Sequence, residues 1–496
     1  MPSTSASEQR WPQRLVSPAA ALGLLAVWLL ATLGWRPLLV PDEGRYASVA
    51  RAMLDGDPLV PTLNGLPFFH KPPLMYWIDM AAMAVFGAHS FSTRIAPALG
   101  AWLMGATLFF GLRRWHGAPA ARGALLVLAT CPFFFIGAQY ANHDMLVAGL
   151  ITAAVLAFVR AVDAPPHLSL RWLVAAWVMA ALAVLAKGLI GIVLPALIVG
   201  PWLLAQRRWR QVLQLLHPLG LAAGLLVAVP WFVAMQLRYP GFFDYFFMEQ
   251  HFRRYAQTTF NNAQPFWFFV ALLPLLTLPW SLWLPAASRQ AWRESGPRFG
   301  LYAWWVLAVV AFFSMPNSKL AGYALPALAP WCALLALAVG AGRARAAAAM
   351  VGALLCVSLV AVLAWKSPRS SAGAALVLAA QMQPLDRVVF VDEFFYDLPF
   401  IARLAEPVIV ASDWATAPQR DNWRKELFDA ARFDPARARQ LLWPIERLGE
   451  LACGQGTVWF VASPRNTAWQ SSVPGLVDSY ADANVQLQRA PGRVCP

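Results

Sequence analysis

About eleven long apolar segments constrain this chain more than any other feature, because each comes close to the ~20 residues that a helix needs to cross a bilayer. They run over roughly 19–35, 95–112, 121–140, 145–162, 171–186, 188–205, 213–237, 266–287, 299–315, 320–341 and 347–365. Hydrocarbon offers backbone N–H and C=O groups no partner, so such segments must be helices. The shorter run 74–86 is expected at the interface. Composition agrees, since 59% hydrophobic against 13% charged residues exclude ordinary water-soluble domains, disorder and coiled coil. The fold expected is a polytopic α-helical membrane protein with about 11–13 transmembrane helices.

A formal charge of +14 would point to nucleic acid in a soluble chain, but its distribution says otherwise. Residues 366–496 carry 14 basic and 14 acidic side chains, so the whole excess falls in residues 1–365. This is the positive-inside pattern, and no nucleic-acid partner is expected. With the N-terminus inside, Arg113/Arg114/Arg122, Arg160/Arg171, Arg207/Arg208/Arg210, Arg289/Arg293/Arg298 and Arg343/Arg345 are cytoplasmic. The outer segments are then 36–94, 141–144, 187–188, 238–265, 316–319 and everything after 366. An odd number of spans puts the C-terminus outside. Residues 1–18 are polar and no small-residue cleavage site follows the first apolar run, so 19–35 reads as a retained helix.

Two regions follow: a membrane part, 1–365, with large outer loops 36–94 and 238–265, and a C-terminal part, 366–496. In the latter, "DRVVFVDEFF" and "GTVWFVASP" read as buried strands separated by polar helix-forming stretches such as 420–442, which predicts a small periplasmic α/β domain. Cys131, Cys332 and Cys356 lie in membrane segments, where a thiol behaves as a small apolar group. Cys453 and Cys495 fall in the outer domain, where an oxidising compartment favours a disulfide between them.

Chemistry is expected where polar groups gather on the outer face. The first outer loop is the densest. Asp42 and Glu43 follow the first span, beside Arg45 and Tyr46. Acids at a helix N-terminus commonly offset its dipole. The same loop, however, holds His70-Lys71-Pro72-Pro73, and a lysine at the headgroup layer binds phosphate as a point charge. Asp55-Gly56-Asp57 imitates a metal-diphosphate motif, but its Gly/Pro context reads as a turn. No GxxxxGK or GxGxxG string occurs, so no nucleotide-driven pump is indicated.

Several strings in order carry a resemblance. Asp42-Glu43-Gly44-Arg45-Tyr46, Pro61-Thr62-Leu63-Asn64-Gly65, Lys71-Pro72-Pro73-Leu74 and Tyr76-Trp77 are followed by Gln139 through Asp144, Lys187-Gly188 and Glu249 with His251-Phe252 and Arg254-Tyr255. Ser318-Lys319-Leu320 with Tyr323, and Tyr396-Asp397-Leu398-Pro399-Phe400, complete the set. Together they closely resemble the bacterial aminoarabinose transferase and protein mannosyltransferase-like family of GT-C glycosyltransferases. The resemblance spans nearly the whole chain.

It implies an inverting transfer of a sugar from a polyprenyl (undecaprenyl) monophosphate carrier to a periplasmic acceptor: lipid A, another glycolipid or a protein. Such a donor keeps its tail in the bilayer and its charge at the interface, so cations and a carboxylate are needed there. Lys71, Arg254, Lys319 and Tyr323 are the expected phosphate contacts. For Lys319 and Lys187, snorkelling at a helix end is the structural alternative. Asp42 is the expected catalytic carboxylate, with Asp144 and Glu43 as further candidates. A hydroxyl acceptor would need Asp42 as general base. A phosphate acceptor would not, and Asp42 would then orient substrate or stabilise oxocarbenium-like charge. Arg45, Tyr46 and His70 belong to the substrate loop. The family commonly has a glutamate where this chain has His70, which puts any metal or amino-sugar role of that acid in doubt. His70 with His251 would supply two ligands to a possible divalent metal, whereas zinc sites want three or four. The alternative function is a lipid-linked-sugar transporter or flippase, which should instead place ionisable residues near the bilayer midplane and show repeated halves. A non-catalytic scaffold carrying a periplasmic sensor domain is the third reading.

Overall fold

Helix starts along the chain follow local sequence rules. In the computed structural model, which describes residues 17–163, 168–253, 262–293, 296–366, 370–419 and 421–492, Ser17 opens α1 (Pro18–Leu30) by accepting a hydrogen bond from Ala20 N at 3.1 Å. Helix α2 (Asp42–Asp55) begins with its two acids in the first turn. Strands β1 (Thr62–Leu63) and β2 (Leu66–Pro67) form a hairpin whose turn, Asn64-Gly65, takes the positive φ values (50° and 75°) that this dipeptide tolerates. Pro72-Pro73 leads into α3 (Leu74–Phe86), the run expected at the interface.

Helix α4 (Ile95–Ala129) holds the expected segment 95–112 and, past a break at Gly117 (φ 85°), only the first half of the expected segment 121–140. After α5 (Pro132–Ala138), Asn142 caps α6 (His143–Ala161), which is the helix most enclosed by the rest of the bundle. Gly100 of α4 and Gly149 of α6 let the two backbones touch, and a Cβ at either position would overlap the other helix. Helices α7 (Leu170–Lys187) and α8 (Ile190–Ala205) turn on Gly188 at φ 104° and are followed by α9 (Trp209–Leu215) and α10 (Pro218–Arg238). Among the described residues, seven helices are long and apolar enough to cross a membrane, and the pair Phe268–Leu276 and Trp280–Gln290, bent by 109°, would make an eighth. The shorter apolar helices α1 and α8 fall on two further expected segments. The architecture is that of a polytopic helical membrane protein.

Chain direction puts segment ends on two faces. Residues 36–43, 94, 139–144 and 187 meet at one end of the bundle, and Arg114, Asp163, Arg208 and Arg298 at the other. These are the two groups of connections that charge distribution separates.

Residues 387–491 hold a six-stranded sheet of order β5-β4-β3-β6-β8-β7, built from β3 (Arg387–Val391), β4 (Ile409–Ser412), β5 (Leu442–Pro444), β6 (Thr457–Ala462), β7 (Val477–Ala481) and β8 (Gln486–Pro491). The first four are mutually parallel, while β8 runs antiparallel to both β6 and β7. β3 and β6 fall within the two apolar strings that the sequence marks as strands. Cys453 is disulfide-bonded, and its expected partner lies outside the described residues.

This sheet region is fastened directly to α2 and the β1–β2 hairpin. Asn64 pairs with both backbone groups of Val408, at 2.9 Å each, and Ser48 Oγ donates to Tyr396 O at 2.9 Å. Gly44 lies flat against the Tyr396–Asp397 backbone, where a Cβ would come within 2.8 Å of three main-chain atoms.

Candidate functional site

Asp42 and Glu43 are neighbours in sequence, but successive helical residues point about 100° apart. Glu43 turns inward and is fully buried. Arg36 grips both its oxygens, Arg94 donates from Nε at 2.9 Å and Nη2 at 3.0 Å, and the amides of Leu39 (2.8 Å) and Ala141 (2.9 Å) complete its shell. Burial alone would push this carboxyl up, but Arg94 and Arg36 outweigh it and hold Glu43 at about 2. Expected among the candidate catalytic acids, Glu43 has no access to a substrate here. Its geometry is that of a closed internal ion cluster.

Asp42 faces the other way and keeps a quarter of its side chain exposed. Its Oδ2 accepts from Tyr140 Oη at 3.3 Å and Asn142 Nδ2 at 3.2 Å, and Arg45 stands 3.5 Å from Oδ1. Asn142 also caps α6 through Asp144 N at 3.0 Å, so one amide ties the two acids together. Asp144 is ion-paired with Lys187, whose ammonium sits 4.6 Å over the Tyr323 ring. Gly322 passes against Asp144 so closely that a Cβ would overlap the carboxylate. Behind them His143 is fully buried, edge-on to Tyr46 at 4.5 Å and Tyr76 at 5.3 Å. In front of it Arg45 stands beside Asp42 and Lys187 beside Asp144, so each acid of the pair faces a cation.

Sequence expectations divide accordingly. Lys71 turns its ammonium to the His70 carbonyl at 3.0 Å, while Asp42, Asp144, Arg45, Tyr46 and Tyr323 meet at one place. Lys187, for which snorkelling was the competing reading, stands at its centre. Lys319 does not present its ammonium to this group. It is 3% exposed and donates to Gln264 O at 2.8 Å and Pro316 O at 2.6 Å, clasping segment 262–265 to 316–319 beside the Ala263–Ser318 bridge. Arg254 and the side chain of His251 lie outside the described residues. His70 stacks on Phe68 at 4.4 Å, and no group of three or more His, Cys, Asp or Glu able to hold a metal occurs among the described residues. Asp57 accepts from Leu59 N at 2.8 Å and pairs with Arg238, which fits the turn reading of Asp55-Gly56-Asp57.

One part of the site comes from the sheet region. Arg45 lies 3.1 Å from Glu426 and stacks 4.7 Å over the Tyr396 ring, while Tyr396 Oη donates to Glu426 at 2.6 Å. Burial opposes the Arg45 charge, but Glu426, Tyr396, Tyr46 and Asp42 together outweigh it and keep the guanidinium firmly protonated. Glu426 was missed by sequence reasoning because it sits in an ordinary polar helix, Trp423–Ala431, with no motif around it.

Residues 70–233 match the family described as dolichyl-phosphate-mannose-protein mannosyltransferase. The chain is 33% identical over 320 residues to the undecaprenyl phosphate-alpha-4-amino-4-deoxy-L-arabinose arabinosyl transferase of Erwinia tasmaniensis, covering 63% of this chain and 57% of that one. It is 34% identical over 369 residues to the Aeromonas salmonicida protein of the same name, covering 71% and 66% respectively. It thus spans about six tenths of the length of the curated relatives it matches. In structure it superposes with a TM-score of 0.84 and 24% identity on ArnT from Cupriavidus metallidurans bound to undecaprenyl phosphate, over 95% of this chain and 97% of that one. The fold is GT-C, and the chain belongs to the aminoarabinose transferase and protein mannosyltransferase-like family.

Proposed function

We propose that this protein transfers a sugar from an undecaprenyl-type monophosphate carrier to an acceptor at the outer face of a bacterial inner membrane. The observation that carries the reading is the pair of carboxylates Asp42 and Asp144, tied together by Asn142 and faced by Arg45 and by Lys187 over the Tyr323 ring. A lipid phosphate needs cations at the membrane boundary, and the anomeric centre attached to it needs a carboxylate close by. The names of the relatives support the same donor class. Asp42, still open on one side, acts as the catalytic carboxylate: a general base toward a hydroxyl acceptor, or a positioning and charge-stabilising group toward a phosphate such as that of lipid A. Asp144 orients Lys187, and Lys187 with Lys71 holds the donor phosphate against Tyr323. Glu43 braces the loop, with no part in chemistry.

The N-terminus is cytoplasmic in this reading, and residues 366–496 form an α/β domain in the periplasm, a compartment that suits the disulfide at Cys453. That domain reaches the site through Glu426, Tyr396 and Arg45, so it helps to hold Asp42 as well as covering the acceptor opening.

The test is reconstitution with a panel of undecaprenyl-phosphate sugars and an envelope extract, following free undecaprenyl phosphate by mass spectrometry. Acceptor-dependent release by the wild type that collapses in Asp42→Asn is expected. Release that persists in the variant moves the essential carboxylate to Asp144. Translocation of the lipid without any release would establish the flippase reading in its place.

A further inference from the structure

The face opposite Asp42 carries a second polar group that the transfer reaction does not use. Helix α6 separates the two, its 19 residues spanning about 28 Å at 1.5 Å per residue. Just beyond its far end, Asp163 meets Arg298, Arg114 at 3.2 Å and Arg160 at 3.3 Å, and accepts from Trp115 Nε1 at 3.2 Å. Arg208 lies alongside, donating to Val162 O at 2.6 Å. Three guanidiniums therefore meet one carboxylate, and neither they nor Arg208 beside them have a second acid among the described residues. Arg298 is held between Trp115 at 4.3 Å and Trp202 at 5.8 Å, and its Nη1 is buried without a hydrogen-bond partner among the described residues. A structural ion pair needs one arginine. This group holds a surplus.

Next to it runs an apolar recess of about 130 Å³, lined by Phe158, Ile192, Val199, Gly200, Val212 and Leu216. Phe158 lies one helical turn before Val162, whose carbonyl Arg208 holds, and Val212 lies one turn after Arg208, so the recess adjoins Arg208. Leu216 is 52% exposed and Ile192 40%, so the recess opens sideways, toward where lipid would lie.

We infer that this corner binds an anionic phospholipid, its phosphodiester headgroup among Arg114, Arg208 and Arg298 and one acyl chain in the recess. Charge complementarity selects the headgroup, since arginines present planar donor pairs that match phosphate oxygens, and tryptophans such as Trp115 and Trp202 favour headgroup depth. Basic pockets between spans recognise such lipids by the same chemistry. The site is independent of the proposed transfer reaction, so failure of either leaves the other standing.

The test is native mass spectrometry of the full chain equilibrated in detergent with equal amounts of phosphatidylglycerol and phosphatidylcholine. Wild type should retain phosphatidylglycerol at least about fivefold over phosphatidylcholine, the preference that a single arginine near a lipid phosphate supports. Arg114→Gln, at a half-exposed side chain, should bring that ratio toward one. Gly200→Leu changes no charge and fills the recess, since no atom lies within 4 Å of a Cβ placed there, and it should lower the retention of both lipids. Arg447→Gln, in the sheet region, is the control and should change neither. Equal retention of the two lipids by the wild type would overturn the inference, as would wild-type binding in both site variants. Displacement by millimolar inorganic phosphate would replace the lipid with a free anion and overturn it as well.

Discussion

The two ends of α6 hold one acid each, Asp144 and Asp163, and they are built on opposite principles. At the Asp144 end charges come in matched sets: Lys187 with Asp144, Arg45 with Glu426 and Asp42, Arg36 and Arg94 with Glu43. At the Asp163 end cations outnumber the acid that ties them together. A balanced network fixes side chains in place, which a site for chemistry requires. A surplus on the other face attracts anions and resists passage through the membrane, as expected of connections that anchor helices.

Within the matched end, Asp42 and Glu43 supply the sharpest contrast. Asp42→Asn should lower the rate of undecaprenyl phosphate release by about 10²–10⁴-fold while leaving thermal stability unchanged. Glu43→Gln should do the reverse: leaving two buried arginines without their carboxylate costs about 3–5 kcal/mol, read as a lower unfolding temperature in detergent. An unstable Asp42→Asn with an intact rate per folded molecule would invert the assignment.

The pH dependence follows with its sign. Glu43 is held at about 2 against an ordinary 4.5, so its stabilisation is complete above about 4.5 and is lost as pH falls from there toward 2. The loss is on the order of 3 kcal/mol. Unfolding temperature measured from pH 6 down to pH 3 should fall more steeply for wild type than for Glu43→Gln, and parallel curves would count against the internal cluster.

Gly322→Ala drives a methyl group into Asp144 and should cost about 2 kcal/mol, by the usual penalty for overpacking, with a rise in KM for the lipid donor as Lys187 is displaced. An unchanged KM would separate Lys187 from phosphate binding. The smallest effect is expected of Glu426→Gln, which keeps a hydrogen-bond acceptor for Tyr396 but removes the charge facing Arg45. A loss of about 1.5 kcal/mol in kcat/KM without unfolding would show the sheet region positioning Asp42, and a silent variant would confine that region to covering the site.

Much of this was legible in the chain. Spans announce themselves because lipid forces about 20 apolar residues in a row, and the Arg-rich connections sort into one face by charge alone. Asp42, Asp144, Lys71 and Tyr323 stand out in the sequence because they lie in short polar interruptions between spans. Lys187 was ambiguous because a lysine closing a helix looks the same whether it reaches for water or for Asp144. Lys319 misled for a related reason: its position at the outer end of a span is compatible with a phosphate, and nothing local shows that Gln264 and Pro316 already engage its ammonium.

What sequence by itself determined, then, is a helical membrane protein with polar groups on one face and a strand-rich region after the last span, since both depend on patterns that repeat within a single element. Tertiary structure alone decided which of two adjacent acids is free, which lysine faces the site, and that Glu426 reaches Arg45 across the chain. Those outcomes depend on pairs distant in sequence, with α2 as their meeting point. Its rotation buries Glu43 against Arg94 and leaves Asp42 in the open.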